Sequence, residues 1–217
     1  MQSANHLPFA AALPAFRSRV VPVVVIRDPA HAVPLARALL AGGIDVIEVT
    51  LRSSAALPSI AAIAREVPDM VVGAGTVTRP DEVDAVVTAG AQFGLSPGFT
   101  WPLLEAVRQA GLPFVPGVAS PSEAMQMREA GFNLLKCFPA AQLGGVDVLK
   151  AWAGPLPDLR FCPTGGVSLN NLAMFLSQPN VAMVGGSWLA PHDAIEAGNW
   201  SLITSLARQA VQIADGQ

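Results

Sequence analysis

Apolar runs recur along this chain at regular intervals and alternate with segments of helical periodicity. Eight of these runs are rich in β-branched or aromatic residues, and successive runs start about 20 to 27 residues apart. The predicted strands are Val20–Ile26, Asp45–Leu51, Met70–Val77, Gln92–Gly98, Pro113–Ala119, Asn133–Ala140, Arg160–Gly166 and Val181–Ser187. Buried strands that alternate with helices at this spacing are typical of repeated βα units.

The segments between the strands predict helices from their periodicity and end signals. One has Pro102 near its start and Gly111 at its end, and another begins with a capping box of Ser120 and Glu123. The clearest helical patterns cover residues 31–43, 101–111, 120–131, 168–176 and 200–214. Each falls between two predicted strands or after the last one, as repeated βα units require.

Eight βα units in 217 residues predict an α/β protein that folds as a single (β/α)8 TIM barrel. We expect one domain over residues 1–217, with residues 1–19 as an N-terminal helical extension. An open doubly wound sheet is the alternative fold. It would require a glycine-rich fingerprint after the first strand, and the sequence VVVIRDPAHA has none.

The composition narrows the range of partners and locations. The chain is 52% apolar and 13% charged, where about a quarter is usual for the charged share, so it buries a large core or an oligomer interface. A net charge of −3 without a basic patch argues against nucleic acid as a partner. No apolar run is long enough for a membrane helix, and no targeting segment is visible. The two cysteines lack the spacing of metal ligands, so both are expected to pack in the core. Two free thiols favour a location in the reducing cytoplasm.

One lysine lies inside an apolar run, NLLKCFPA, although the chain has only two lysines, Lys136 and Lys150. An ammonium in such surroundings costs several kcal/mol, so a lysine there requires a specific role. Apolar surroundings favour the neutral amine, which attacks a ketone or aldehyde to form an imine. An imine accepts electrons, which permits cleavage or formation of the neighbouring C–C bond.

Glu48 is the predicted proton-transfer partner of Lys136. Side chains two residues apart share one face of a strand, so Glu48, Thr50 and Arg52 are expected on the same face. Because catalytic groups of a barrel gather at the C-terminal ends of its strands, Glu48 and Lys136 could meet across the barrel. A purely structural ion pair is the other interpretation of these two residues.

Two glycine pairs follow the last two strands, at Gly165–Gly166 and Gly185–Gly186. Loops at these places in a barrel often bind phosphate through backbone N–H groups, although glycine pairs also mark simple tight turns. His6, His31 and His192 are dispersed along the chain and are predicted to lie at the surface. No His, Cys and Asp cluster has metal spacing, so neither a metal nor another cofactor is expected.

Six motifs together resemble the 2-keto-3-deoxy-6-phosphogluconate (KDPG) aldolase family. They are EVTLR (Glu48–Arg52), GAGTV (Gly73–Val77), SPG (Ser96–Gly98), KCFPA (Lys136–Ala140), FCPTGGV (Phe161–Val167) and GGSWL (Gly185–Leu189). The similarity extends from about Val20 to the C-terminus and keeps the order of all six motifs. One motif would be weak, but six at the ends of successive strands are specific.

The resemblance implies a class I aldolase of the Entner–Doudoroff pathway that cleaves a keto-deoxy sugar phosphate to pyruvate and glyceraldehyde 3-phosphate. It also implies a homotrimer of barrels that needs no metal. Lys136 would form the Schiff base, and Glu48 would be the general acid and base. The implied substrate-binding residues are Arg52 and Thr76 for the pyruvyl carboxylate, Pro97 and Phe138 for the pocket wall, Thr164 for the substrate, and Gly165, Gly166 and Ser187 for the phosphate.

Several alternatives remain open at the level of the sequence. The substrate could instead be 4-hydroxy-2-oxoglutarate or the phosphogalactonate epimer. A phosphate-binding isomerase, a metal-dependent pyruvate aldolase and a non-catalytic barrel that binds sugar phosphates are the rival classes. An isomerase needs no imine-forming lysine, and a binding barrel has little reason to keep both Glu48 and Lys136. The sequence assigns no role to Arg27.

Overall fold

The strands and helices alternate along the part of the chain that a computed structural model describes, residues 12–217. The strands are β1 Val20–Val24, β2 Val46–Thr50, β3 Val71–Gly75, β4 Phe93–Leu95, β5 Phe114–Val115, β6 Gly117–Val118, β7 Leu134–Cys137, β8 Arg160–Pro163 and β9 Val184–Gly186. The helices are α1 Ala32–Ala41, α2 Ala56–Glu66, α3 Pro80–Thr88, α4 Trp101–Ala110, α5 Pro121–Glu129, α6 Val146–Ala153, α7 Leu172–Leu176, α8 His192–Glu196 and α9 Trp200–Asp215, and a 3-10 helix, Pro29–His31, precedes α1.

All the paired strands are parallel. Six follow one another in the order β5-β4-β3-β2-β1-β9, and three more in the order β6-β7-β8. Parallel bridges Phe161–Val181 and Thr164–Gly185 connect the segments around β8 and β9. On the other side, the Lys136 amide donates a 2.9 Å hydrogen bond to the Pro116 carbonyl. This curled parallel arrangement confirms the predicted α/β class.

Strand positions agree with the sequence prediction, but the strands are shorter than predicted. The fifth predicted strand, Pro113–Ala119, is divided into β5 and β6 on either side of Pro116. Proline has no N–H to donate to a ladder, which interrupts regular pairing at that residue. The carbonyl of Pro116 still accepts from Lys136, so the chain continues beside β7.

Helix ends follow the signals in the sequence. The Ser120 hydroxyl accepts from the Glu123 amide at 3.3 Å, and Glu123 accepts from the Ser120 amide at 3.0 Å, which makes the predicted capping box. Thr100 caps the start of α4, and Gly111 ends it in the left-handed conformation with φ of 63°. These caps fix the helix ends in the loops that follow the strands.

The N-terminal extension is not helical where it is described. Residues 12–18 form no helix, and Pro14 is unsuited to a helix interior; the rest of the predicted extension lies outside the described residues. One buried apolar cluster within residues 12–217 includes residues from the strands and from the helices. Within residues 12–217, no helix has the length and apolarity needed to cross a membrane.

Candidate active site

Lys136 on β7 and Glu48 on β2 meet within the curled parallel arrangement of strands. The Nζ atom of Lys136 lies 3.0 Å from Oε1 of Glu48, although 88 residues separate the two in sequence. Their side chains are 6% and 1% exposed, respectively. The structure therefore brings together the two residues that the sequence predicts to carry the chemistry.

The second oxygen of the Glu48 carboxylate is chemically available. Oε2 is buried and has no hydrogen-bond partner within the described residues. A buried carboxylate oxygen without a partner is costly, and a polar group brought by a ligand would satisfy it. One oxygen thus holds the lysine while the other can exchange a proton with a bound molecule.

One aromatic ring and one thiol lie near the Lys136 amine. The Phe138 ring centroid lies 5.7 Å from Nζ of Lys136, within the range of a cation–π contact. Cys162 lies directly beside Lys136 in the β7–β8 register. Burial raises the pKa of the Cys162 thiol to about 12, so this neighbour stays neutral. Sequence reasoning placed Cys162 in the core without linking it to Lys136, because strand register is a tertiary property.

A cavity of about 220 Å³ opens at the same end of the strands. It contains six of the predicted substrate-binding residues, which are Arg52, Phe138, Thr164, Gly165, Gly166 and Ser187. The second predicted glycine pair, Gly185 and Gly186, also lines the cavity, together with Val23, Val25 and Val167, which the sequence did not single out. The alternation of Val23 and Val25 on one face of the first strand is the signal that could have indicated them.

The glycine loop on this cavity has a backbone that other residues rarely adopt. Gly165 and Gly166 have φ angles of 94° and 78°. Both values lie in the left-handed region, where a residue with a Cβ atom is disfavoured. The glycine pair therefore shapes the cavity wall through its backbone.

Two further predicted residues, Thr76 and Pro97, are absent from the lining of that cavity. Thr76 directly follows β3 with a φ of 60°, a rare conformation for a β-branched residue. Such conformations cost about 1–3 kcal/mol and cluster at functional sites. Pro97 is exposed and lines a separate cavity of about 220 Å³ with Phe99 and Leu103.

The cavity carries a cationic group at its rim. Arg52 is exposed, and its guanidinium has no ion-pair partner within residues 12–217. A planar guanidinium recognises carboxylate and phosphate groups through paired hydrogen bonds. An anionic molecule is therefore the type of ligand that this rim favours.

Two other polar residues at the strand ends have structural partners. The Thr50 hydroxyl donates to the Val24 carbonyl at 2.9 Å. The buried Ser96 hydroxyl accepts from the Gly117 amide at 3.4 Å. These bonds link neighbouring strands, which accounts for both hydroxyls without a ligand.

Two of the three histidines, His31 and His192, lie in the described part of the chain. His192 is exposed as predicted, with Nε2 3.0 Å from Arg27. His31 is half-buried, which corrects the surface prediction, because its ring packs edge-on against Trp200 at 5.8 Å. His6 lies outside the described residues. Among residues 12–217 no group of three His, Cys, Asp or Glu side chains has the geometry of a metal site.

Comparison with known proteins places the chain in a family. Residues 15–206 match the model of the KDPG and KHG aldolase family. A 2-dehydro-3-deoxy-phosphogluconate aldolase of Pseudoalteromonas atlantica is 56% identical over 197 residues, which is 91% of this chain and 92% of that protein.

Solved structures of similar proteins agree with this match. KDPG aldolase from Legionella pneumophila, with pyruvate captured as a covalent carbinolamine, has a TM-score of 0.87 and 48% identity over 94% of this chain and 96% of that chain. The Zymomonas mobilis aldolase with 3-phosphoglycerate has a TM-score of 0.83 and 41% identity over 89% and 91% of the two chains. The resemblance in six motifs is thereby confirmed, and the chain belongs to the KDPG and KHG aldolase family.

Proposed function

We propose that this chain is a class I aldolase that cleaves KDPG to pyruvate and glyceraldehyde 3-phosphate through an imine on Lys136. The observation that carries the proposal is the buried lysine amine 3.0 Å from the Glu48 carboxylate, near the cavity lined by Arg52 and the glycine loop. The captured carbinolamine in the Legionella relative supports the same chemistry. We also infer a place in the Entner–Doudoroff pathway from this substrate.

The reaction requires several proton transfers, and the proposal assigns them to Glu48. Glu48 takes a proton from the Lys136 ammonium, and the resulting neutral amine attacks the C2 carbonyl to give the carbinolamine. Glu48 then returns this proton to the carbinolamine hydroxyl, which leaves as water and gives the iminium. Removal of the C4 hydroxyl proton by Glu48 then breaks the C3–C4 bond, and the electron pair passes into the enamine. Glyceraldehyde 3-phosphate leaves, C3 takes up a proton, and water releases pyruvate from the lysine.

The remaining predicted residues fit roles in substrate binding. In this proposal Arg52 and Thr76 hold the pyruvyl carboxylate, and Thr164 contacts the substrate. The wall residues are Pro97 and Phe138, and the phosphate group binds at Gly165, Gly166 and Ser187. The shared cavity of Arg52, Phe138, Thr164 and the glycine loop supports most of these roles. No metal takes part in the proposed reaction.

Borohydride trapping tests the covalent step. The protein is incubated with pyruvate and sodium borohydride, and the reduced adduct is located by peptide mapping. We expect the adduct on Lys136 and its absence from Lys136→Met. Lys150→Met is the matched control, because Lys150 is the second lysine of the chain and is exposed beside Asp147. An adduct on Lys150, or none, would rule out the imine mechanism.

The substrate itself is tested by comparing turnover. KDPG is expected to be cleaved faster than its phosphogalactonate epimer. The family name also includes 4-hydroxy-2-oxoglutarate (KHG), which carries a carboxylate where KDPG carries its phosphate end. If the glycine loop binds phosphate, kcat/KM for KDPG should exceed that for KHG. Binding of KDPG without turnover would instead indicate a non-catalytic barrel.

We further propose a homotrimer in the cytoplasm. Trp101 is 53% exposed, and its ring meets Phe99 edge-on at 5.9 Å, which leaves an apolar surface that a second copy would cover.

The two free, buried thiols suit a reducing compartment. A single domain over residues 1–217 is supported by the one apolar cluster. Light scattering during size-exclusion chromatography measures the mass of the assembly.

A further inference from the structure

Gly75 lies next to the reacting pair, at the end of β3. It is the register partner of Thr50 in β2, and its carbonyl accepts a 2.8 Å hydrogen bond from the Leu51 amide. The φ angle of Gly75 is not positive, so residues with a side chain could adopt the same backbone conformation. The requirement for glycine here must therefore come from space and not from backbone conformation.

The space next to Gly75 is filled by Glu48. A Cβ atom on Gly75 would lie 2.1 Å from Oε1 of Glu48, and 2.6 Å from both Cγ and Cδ. Real Cβ atoms do not approach other heavy atoms so closely. Oε1 is also the atom that accepts the hydrogen bond from Lys136 at 3.0 Å. Because Gly75 has no side chain, this volume is available to the Glu48 carboxylate where it meets the Lys136 amine.

Glu48 has little freedom to give way. Its side chain is 1% exposed, and interiors of this kind are close-packed. Any movement away from a new Cβ atom changes the distance from Oε1 to Lys136. Misplacement of a catalytic group by about 1 Å can cost about 100-fold in rate.

We propose that Gly75 is a positioning residue, which holds the Glu48 carboxylate in proton-transfer geometry by leaving its own side-chain volume empty. This inference rests on the proposed aldolase function. Gly75 acts only through Glu48, since it has no group that touches the substrate chemically. The effect of a substitution at Gly75 should therefore depend on the presence of the Glu48 carboxylate.

Gly73 provides a matched control on the same strand. A Cβ atom on Gly73 would lie 2.4 to 2.5 Å from the ring of Phe93, an equally crowded contact with no titratable group. Both Gly75→Ala and Gly73→Ala are expected to lower stability. Exchange of the methyl protons of pyruvate in D2O, followed by NMR, measures the proton-transfer step. We expect this exchange to be about 100-fold slower in Gly75→Ala than in Gly73→Ala.

A double-mutant cycle separates positioning from general disturbance. Glu48→Gln and Gly75→Ala should each slow the exchange, and the double variant should be no slower than the slower single variant. Effects that multiply, or equal rates in Gly75→Ala and Gly73→Ala, would overturn the inference. If wild type itself shows no exchange, the proposed function fails before this comparison is made.

A second variant keeps the test decisive if Gly75→Ala does not fold. Glu48→Asp withdraws the carboxylate by one methylene from the crowded volume. In the Gly75→Ala background, this change is expected to restore folding, measured as a cooperative urea unfolding transition. If it fails to do so, the crowding is elsewhere and the inference is overturned.

Discussion

The Lys136–Glu48 pair should contribute almost nothing to net stability, although removal of either partner alone should be costly. At 3.0 Å and an effective dielectric constant of about 20, the two charges attract by about 5.5 kcal/mol. Desolvation of the two side chains opposes this attraction. The side chains are 6% and 1% exposed, and desolvation costs several kcal/mol for each ion. The two contributions are of similar size, so they largely cancel.

Three variants test this reasoning. Lys136→Met leaves Glu48 buried without a counter-charge, and Glu48→Leu leaves Lys136 in the same state. Each single variant should lose about 3–5 kcal/mol of unfolding free energy, a large part of the about 5–15 kcal/mol of a typical domain. The double variant replaces the pair by apolar groups of similar volume. It should be as stable as wild type or up to about 4 kcal/mol more stable.

Urea unfolding provides the assay, followed by the fluorescence of the four tryptophans and by circular dichroism. All four proteins are compared at one concentration, since an assembled protein gains stability from association. Aldolase activity should be absent from all three variants. A double variant less stable than both single variants would refute the reasoning, because the pair would then stabilise the fold.

Three further predictions address other parts of the molecule. Thr76→Gly should relieve the left-handed backbone and raise the unfolding free energy by about 1 kcal/mol, while it raises KM for KDPG; loss of stability in urea would contradict this. Burial raises the pKa of both Cys137 and Cys162 to about 12, so iodoacetamide at pH 8 should label neither thiol in the folded protein and both after unfolding, as read by mass spectrometry. Burial alone would raise the pKa of Asp45, but hydrogen bonds from the Arg17–Ser18 backbone outweigh it and lower the pKa. Asp45→Ala should therefore cost about 2 kcal/mol at pH 7, where the carboxylate is charged, and this cost should shrink as the pH falls through the folded pKa; a cost independent of pH would show that the charge is irrelevant.

Much of the fold was predictable from local patterns. Strand positions follow from short apolar runs, and the Ser120–Glu123 capping box follows from two residues three apart. Strand lengths were overestimated, because an apolar run continues beyond the residues that make ladder hydrogen bonds. The break at Pro116 could have been expected from the missing N–H of proline, and Pro14 is an equally local signal against a helix in residues 12–18.

The sequence by itself determined the αβ repeat, the lysine in an apolar run and the motifs that indicate the family. Each of these signals is local, since it depends on residue type and on short spacing along the chain. Only the tertiary structure decided that Glu48 lies 3.0 Å from Lys136 and that Cys162 is the register partner of Lys136. It also decided that Gly75 leaves room for the Glu48 carboxylate. These relations depend on strand register and on the packing of residues far apart in sequence, which no local pattern specifies.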